Sequence, residues 1–498
     1  MRPNYLPLPL KTFVATVTLL FVGNLYAANW YVRPSSTGSN TGTDWNNAWS
    51  LSSINWSSIS PGDTIWLAGG SYGSTGLSVG ANGAANRPIL IYRVLSTDAV
   101  PVSAPGWNSS FDSTVDLGTG GIYLPNNAYV TIDGRVPYTL TQSNGGTSEG
   151  LRNAGMTITV SGNGGAGISG PAGGSGIGLD HITLSNISIT GPYNNSGSSA
   201  GSDIDGINFA GPTQSGPVTN LLIHGVSIRG TGNALRGYQW NGVVIEYCYI
   251  ADTTDTNTQH GDLQYSYSST NVTMRYNYFN NSFPQGVYFQ DSGMVNFYFY
   301  GNVFYNSDNL LMCPSGTVGP FGPFYYYNNI FGGNAGSDSM TSFDPNATFV
   351  PTCYVYNNIY WNCTNQAHNA KGGVVSDYNA YNYTSYNGYP PPLSQEPHSF
   401  TFTGSPFVNY PPYIQQLPNK SMAFGSIGDF HWASGTAAAA FQKGLANPPN
   451  PAADPLIAKD MDGNARASGG LWYIGPYQYA ASGGGPAAPT NLHVVPTQ

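Results

Sequence analysis

The stretch NVTMRYNYF (residues 271–279) decides the fold of this chain. Its apolar and polar side chains alternate with a period of two, which is typical of a β-strand and not of a helix. Each such segment is too short to bury its apolar side chains alone, so it has to stack on its neighbours. The repeats therefore predict a solenoid of stacked β-coils. Similar segments occupy residues 182–190, 220–228, 242–250, 296–304, 324–331, 353–361 and 377–383.

One column of the aligned repeats is rich in asparagine. In a parallel stack, side chains of successive coils lie about 4.8 Å apart, so neighbouring amides can hydrogen-bond to one another. We therefore predict a structural ladder and not a ligand site. Apart from the first, the gaps of 39, 22, 29, 25, 27, 29 and 21 residues along the column fit single coils. The column consists of Ile187, Val226, Cys248, Asn277, Asn302, Asn329, Asn358 and Asn379.

Composition restricts the kind of ligand. Only 8% of the 498 residues are charged, 15 are Lys or Arg, and the net charge is −9. This argues against nucleic acid, which is bound through clustered cations, and weakens the case for a strongly anionic polymer unless a bound cation bridges the two. The 64 glycines and 36 tyrosines suit a β-rich protein with large uncharged surfaces, on which aromatic rings pack against sugars. The four cysteines, Cys248, Cys313, Cys353 and Cys363, are expected as buried thiols, with a Cys353–Cys363 disulfide as the alternative.

The two ends of the chain differ from its middle. Residues 1–27 combine basic residues, an apolar run and small residues near Ala27, the layout of a secretory signal peptide. We expect a secreted protein, extracellular or periplasmic, with a β-helix domain at 28–480. Residues 481–498 are rich in glycine and proline, which predicts a flexible tail.

The segments WYVRPSSTGSNTGTDWNNAWS (30–50), SPGDTIWLAGGSY (60–72) and KDMDGNARASGGLWYIGPYQY (459–479) carry a resemblance to a known superfamily. Together with the repeats, they resemble right-handed parallel β-helix proteins of the pectate-lyase-like superfamily. The resemblance implies an all-β, single-stranded solenoid with an N-terminal cap. It also implies that one sheet and its flanking loops form a groove for polysaccharide.

A second strand precedes each repeat ending, at 203–211, 233–240, 260–267, 285–292 and 308–313. Pairing apolar with apolar residues places Ile207, Leu235, Leu263, Val287 and Leu310 in one inward column. In this register Tyr265 also faces inward, and Asp262 occupies the same column of the stacked strands as Gly206. The outward strip that we expect to bind substrate consists of Arg236, Tyr238, Trp240, Gln264, Tyr288 and Gln290.

Acidic residues start two of these strands. Asp203 and Asp205 lie two coils from Asp262, roughly 10 Å away, near the upper limit for a pair that hydrolyses glycosides with inversion. Asp203 and Asp205 themselves suit the shorter separation of a retaining pair. His260 shares an extended face with Asp262 and would tune it or carry a proton. These four residues are the predicted catalytic groups, and the alternative is that they accept backbone hydrogen bonds at turns.

Three functions remain open at this stage. The first is a glycoside hydrolase that requires no cofactor. The second is a polysaccharide lyase acting on a uronic-acid polymer, with Arg236 or His260 as base and Ca²⁺ held by the aspartates. The third is a glycan-binding or adhesin-type solenoid without catalysis. In each case we expect a monomer that binds polysaccharide and has no nucleic-acid or membrane partner.

Overall fold

The computed structural model describes most of the chain from residue 27 to residue 479. The described ranges are 27–136, 154–161, 165–171, 178–192, 204–209, 216–254, 261–290, 293–313, 322–332, 341–343, 352–363, 374–383, 395–410, 428–449 and 455–479. The predicted tail and nearly all of the predicted signal peptide lie outside them, so these boundaries stay predictions. Over the described ranges, helices are too short or too polar to span a bilayer.

Nearly all regular structure in these ranges is β-strand. In chain order the strands are β1 (Asn29–Val32), β2 (Thr64–Leu67), β3 (Gly70–Ser71), β4 (Leu77–Ser78), β5 (Ile89–Arg93), β6 (Val115–Asp116), β7 (Ile122–Tyr123), β8 (Ala128–Asp133), β9 (Met156–Thr159), β10 (Ala166–Ser169), β11 (Leu179–Ser185), β12 (Ile187–Thr190), β13 (Asp205–Phe209), β14 (Val218–Thr219), β15 (Leu222–His224), β16 (Ser227–Arg229), β17 (Asn233–Tyr238), β18 (Trp240–Glu246), β19 (Tyr249–Thr253), β20 (Gly261–Tyr267), β21 (Thr270–Arg275), β22 (Tyr278–Gln290), β23 (Val295–Tyr300), β24 (Val303–Cys313), β25 (Phe324–Tyr327), β26 (Ile330–Gly332), β27 (Thr341–Phe343), β28 (Cys353–Tyr356), β29 (Ile359–Cys363), β30 (Val374–Asp377), β31 (Ala380–Tyr383), β32 (Phe400–Thr401), β33 (Phe407–Asn409) and β34 (Asp429–Trp432). Two short α-helices, α1 (Ala99–Ser103) and α2 (Gly435–Ala440), and the 3-10 turns Trp45–Asn47, Leu51–Ser53, Trp56–Ser58, Ser109–Phe111 and Pro455–Ala458 complete the described elements.

All described strands except β33 and β34, which form a separate antiparallel pair, stack into three parallel rows. Sheet A runs β1-β2-β5-β8-β11, continues through β14 and β15 to β18, and then runs β21-β23-β25-β28-β30. Sheet B1 runs β3-β6-β9-β12-β16-β19-β22-β24-β26-β29-β31-β32, and sheet B2 runs β4-β7-β10-β13-β17-β20-β22-β24-β27. The long strands β22 and β24 belong to both B rows, because their first halves pair within B1 and their second halves within B2. The chain therefore passes A, B1 and B2 in turn, which is the architecture of a parallel β-helix.

The bend between sheets A and B1 explains the asparagine column. From β15 onward, a residue with positive φ directly follows each sheet A strand, as at Tyr276 (58°) and Asn328 (55°), and the ladder residue comes next. Asn302 is fully buried, and its Oδ1 accepts hydrogen bonds from the backbone N–H and the side-chain amide of Asn277, both at 3.0 Å. Its own amide donates to the carbonyl of Met274 at 2.8 Å. Asn329 and Asn358 repeat this arrangement, so the predicted structural ladder is confirmed.

The C-terminal segment packs on the outside of the coils. The guanidinium of Arg466 is buried and donates to the carbonyls of Lys459, Tyr473 and Gly475. The phenol of Tyr276, at the A–B1 bend, donates to the carbonyls of Leu456 and Lys459. These bonds fasten the segment to the solenoid and bury aromatic side chains between the two.

The described cysteine side chains agree with the sequence expectation. Cys248 and Cys353 are buried thiols. Burial raises the pKa of the Cys248 thiol to about 12 and raises that of Cys353 well above its usual value. Both thiols are therefore protonated and unreactive at neutral pH.

Candidate active site

The register of sheet B2 differs by one residue from the predicted one. Asn233 pairs with Asp262, and Leu235 pairs with Gln264 and not with Leu263. Both strands bury two consecutive side chains after their first polar residue, so the strict alternation behind the prediction fails at this point. The predicted alignment of Asp262 with Gly206 is consequently wrong.

The corrected register brings three polar residues into one column. Asp205 pairs with Asn233, and Asn233 pairs with Asp262, on three successive coils. With about 4.8 Å per coil, the backbones of the two aspartates lie roughly 10 Å apart. The amide of Asn233 lies between them and donates to Asp205 Oδ1 at 3.1 Å. Two carboxyl groups therefore share one strip of the sheet.

Asp205 is held by neighbouring donors. Its Oδ2 accepts a hydrogen bond from the side-chain amide of Asn208, and its Oδ1 accepts the bond from Asn233. The Nη1 atom of Arg236 lies 3.8 Å from Oδ2. Hydrogen bonds and a nearby cation both favour the ionised form of a carboxyl group, so the surroundings of Asp205 suit a carboxylate.

Asp262 has the opposite surroundings. Its side chain is 3% exposed, and within the described structure its Oδ1 has no hydrogen-bond partner. Burial raises the pKa of this carboxyl well above its usual value; the charge of Arg236 opposes that rise, and the charge of Asp205 adds to it. A carboxyl group whose pKa is raised in this way keeps its proton and can donate it.

An aromatic row continues from the carboxyl groups along the strands. Arg236 lies over the ring of Tyr265 at 5.8 Å, and Tyr267 donates a hydrogen bond to the hydroxyl of Tyr265. The rings of Tyr238 and Tyr267 are 6.0 Å apart. Arg236 and Tyr238 lie on the predicted outward strip. The prediction that Tyr265 faces inward is wrong, and Tyr267 was not among the predicted substrate-binding residues. The alternation of YSY at 265–267 would have identified both tyrosines once the register was correct.

Two predicted substrate-binding residues lie in the core instead. Gln264 is fully buried, occupies the apolar column of Leu235 and donates to the hydroxyl of Ser266. Trp240 is also fully buried and starts a strand of sheet A. Its ring fills the space beside Gly237, where an added Cβ would lie 2.2 Å from the indole. The assignment of Gln264 and Trp240 to the substrate surface is therefore wrong.

The remaining predicted residues are only partly placed. Asp203 and His260 lie outside the described residues. Backbone pairing aligns Tyr288 with Tyr265 and Gln290 with Tyr267, but both side chains lie outside the described part of the structure. The roles of these four residues stay predictions.

The described residues of this site do not by themselves form a complete calcium site. No group of three or more His, Cys, Asp or Glu side chains comes together within the described ranges in a way that could hold a metal ion. Both oxygens of Asp205 already accept amide hydrogens, and the guanidinium of Arg236 lies beside them. A hard cation takes six to eight oxygen ligands, and Asp205, Asn233 and Asp262 supply only part of such a set. The third predicted aspartate, Asp203, lies outside the described residues, so the calcium site stays a prediction.

Comparisons with known proteins concern the fold. No protein-family model matches the sequence, and no curated protein is similar to it in sequence. Among solved structures it is similar to pectate lyase Pel9A, with a TM-score of 0.53 and 12% identity over 92% of this chain and 98% of that one. It is also similar to XylC, solved in complex with xylose (TM-score 0.49, 10% identity, 91% of this chain and 98% of that one). A mannuronic acid specific polysaccharide family 6 lyase from human gut microbiota has a TM-score of 0.40 at 11% identity, over 73% of this chain and 76% of that one.

The likeness to Pel9A and the all-parallel rows confirm the predicted all-β solenoid, whereas the N-terminal cap stays a prediction. The chain is a right-handed parallel β-helix and shares this fold with pectate lyase Pel9A. At 12% identity the likeness says nothing about which residues act.

Proposed function

We propose that this protein is a secreted glycoside hydrolase that cleaves a polysaccharide with inversion at the anomeric carbon. The observation that carries the proposal is the contrast between Asp205 and Asp262, which share one column of sheet B2. Asp205 is surrounded by donors, and Asp262 is a buried carboxyl with a raised pKa. Glycoside hydrolysis needs such a pair, one group with its proton and one without.

The proposed step balances without a cofactor. Asp262 gives its proton to the glycosidic oxygen while the bond from that oxygen to the anomeric carbon breaks. Asp205 takes a proton from a water molecule, and the water oxygen forms the new bond to the anomeric carbon. The products are two sugar chains with free ends, and a later proton exchange with solvent restores both carboxyl groups.

The separation of the carboxyl groups favours inversion over retention. Two coils place the backbones roughly 10 Å apart, and carboxyl groups that lean toward each other then fall within the range of about 6.5–9.5 Å typical of inverting enzymes. A retaining pair needs about 5 Å, the spacing of adjacent coils, and Asn233 occupies the coil between the two aspartates.

The fold supports the substrate class. Pel9A, which shares the fold, acts on pectate by its name, so a protein of this shape accommodates a polysaccharide. The half-buried Arg236, Tyr265 and Tyr267 form the solvent-facing edge beside the buried carboxyl groups. Few cations line this edge, which favours a neutral glycan.

A panel of neutral and acidic polysaccharides tests the proposal. Each is incubated with the protein and assayed in parallel for new reducing ends and for the ultraviolet absorbance of unsaturated products. Reducing ends without absorbance support hydrolysis. Reducing ends with absorbance indicate elimination and overturn the hydrolase assignment, and neither signal on any polymer overturns catalysis.

Variants of the pair test the residue roles. Asp262→Asn and Asp205→Asn are each expected to lower kcat by about 10²–10⁴-fold, the usual contribution of a general acid or base. Asp116→Asn, a carboxyl on a distant coil of sheet B1, is the matched control. Full activity of Asp262→Asn would overturn its role as the acid. Proton nuclear magnetic resonance of the first product gives the anomeric configuration and decides between inversion and retention.

A further inference from the structure

The aromatic row on sheet B2 lies on the coils of Asn233 and Asp262 but further along the strands. Tyr267 follows Asp262 by five residues on β20, which corresponds to about 16 Å of extended strand, longer than a disaccharide. Tyr238 is paired with Tyr267 on the preceding coil. A line from Asp262 to this tyrosine pair therefore runs along the strands and not along the axis of the solenoid.

The row is held in place by its own contacts. Tyr267 donates to the hydroxyl of Tyr265, and the two rings meet edge to face at 4.5 Å and 69°. Tyr265 in turn lies under the guanidinium of Arg236. A side chain that is already ordered loses little conformational freedom when a ligand binds, so such a surface binds at low entropic cost.

The chemistry of the far end suits a sugar. Tyr238 and Tyr267 are half-buried and uncharged, and an aromatic ring binds the apolar face of a sugar. Within the described residues the Tyr238 hydroxyl makes no hydrogen bond, so it can donate to a sugar hydroxyl.

We propose that Tyr238 and Tyr267 form a remote sugar subsite, and that the glycan lies along the strands of sheet B2 from the carboxyl groups to these tyrosines. The inference rests on the proposed hydrolase. It makes the two tyrosines determinants of chain-length preference: a disaccharide at the carboxyl groups does not reach them, whereas a tetrasaccharide does.

An exposed tyrosine elsewhere on the same sheet provides the control. Tyr123 is 38% exposed, and through Ser169 it lies in the same column as Asn208 and Arg236. A glycan that ran parallel to the solenoid axis would pass over Tyr123. Tyr123→Ala and Tyr267→Ala therefore report on the two orientations separately.

The test measures affinity and hydrolysis against chain length. Oligosaccharides of β-1,4-xylose, β-1,4-glucose, α-1,5-arabinose and α-1,4-galacturonic acid, from disaccharide to hexasaccharide, are titrated calorimetrically into Asp262→Asn, alone and combined with each tyrosine variant. We expect Tyr267→Ala to weaken binding of tetrasaccharides and longer chains by about tenfold, the equivalent of one lost ring contact. Binding of disaccharides is expected to stay within about two-fold, and Tyr123→Ala is expected to leave binding unchanged.

Each other result overturns the inference. Loss of affinity in Tyr123→Ala but not in Tyr267→Ala would show that the glycan lies along the solenoid axis. An equal loss of affinity at every chain length would show that Tyr267 is not remote from the first sugars. Absence of binding by every oligosaccharide series would rule out the subsite. Hydrolysis by the unsubstituted protein is measured separately on the same series of oligosaccharides. Hydrolysis with an unaltered length preference in Tyr267→Ala overturns the subsite alone, whereas the absence of any new reducing end overturns the hydrolase.

Discussion

Replacing Asp262 by asparagine should stabilise the protein, and the gain should grow with pH. The carboxyl group is buried, and within the described residues its Oδ1 has no hydrogen-bond partner. Its pKa in the folded protein therefore lies well above the value of 3.8 expected for the unfolded chain. Asparagine has nearly the same shape and carries no titrating proton, so the substitution removes the proton linkage with little change in packing.

The magnitude follows from proton linkage. Above about pH 4 the unfolded chain releases the Asp262 proton while the folded protein keeps it, so the free energy of unfolding falls by about 1.4 kcal/mol for each pH unit. This contribution is fully present below the unfolded pKa and is lost as the pH rises toward the folded pKa. The stability difference between Asp262→Asn and the unsubstituted protein should therefore widen as the pH rises above about 4, by at most about 1.4 kcal/mol for each pH unit over which the folded carboxyl group stays protonated.

Urea unfolding at a series of pH values measures this difference, because contributions from all other titrating groups cancel between the two proteins. Asp116→Asn provides the control, since its carboxyl accepts hydrogen bonds from Gly118 and Thr157 and lies far from the site. Parallel stability curves for Asp262→Asn and the unsubstituted protein, over the whole pH range, would refute the raised pKa and with it the assignment of Asp262 as the proton donor. The same variant should lose activity, so a gain in stability accompanies a loss of function.

Further predictions concern buried polar groups outside the pair. Gln264→Leu should raise the free energy of unfolding by about 1–2 kcal/mol, because among the described residues Gln264 Oε1 is buried without a hydrogen-bond partner in an otherwise apolar column. A lower urea midpoint would contradict this. Asn302→Ala should cost about 3 kcal/mol in urea unfolding, since it leaves the buried backbone N–H of Asn277 without its acceptor, and an unchanged midpoint would count against the ladder. Burial would raise the pKa of Glu246, but the hydrogen bond from His224 and the charge of Arg275 lower it to about 2. The stabilisation by Glu246 is therefore present above pH 4.5 and lost as the pH falls toward 2, and Glu246→Gln should flatten acid unfolding, followed by circular dichroism, in that window. Burial would lower the pKa of His431, but the hydrogen bonds that its ring donates to Asp429 and Asp462 raise it to about 10. The contribution of His431 to stability is therefore lost as the pH rises from 6.5 to 10, and His431→Gln should show a weaker alkaline decline in thermal midpoint.

The fold could be predicted because its signals are local and repeated. A period of two in side-chain polarity and an asparagine at the same point of each coil both follow from the geometry of a parallel stack. The ladder at Asn302, Asn329 and Asn358 matches the alignment residue for residue. Errors in one repeat are corrected by the others, so the prediction of the fold did not depend on any single strand.

The site was predicted only in part, because it depends on a single register. Two consecutive buried residues in β17 and in β20 shift the pairing by one, which moves Gln264 into the core and brings Tyr265 beside Arg236. A one-residue slip of this kind changes the face on which every later side chain lies. The burial of Trp240 was missed because it depends on the absent Cβ of Gly237, a contact between neighbouring strands that no pattern in polarity reveals.

The asparagine ladder has a direction and an end. Each amide donates to the oxygen of the next coil until Asn379, whose amide donates to the buried carboxyl group of Glu396, which also accepts hydrogen bonds from Tyr381 and Ser399. The interior asparagines of the ladder make equivalent hydrogen bonds, whereas Asn379 at its end does not. A whole coil could therefore be gained or lost in evolution between Asn277 and Asn358 without breaking the hydrogen-bond chain, provided that the terminal carboxylate stays. The candidate site precedes this interchangeable part, so the solenoid can change length while the chemistry on its earlier coils is inherited unchanged.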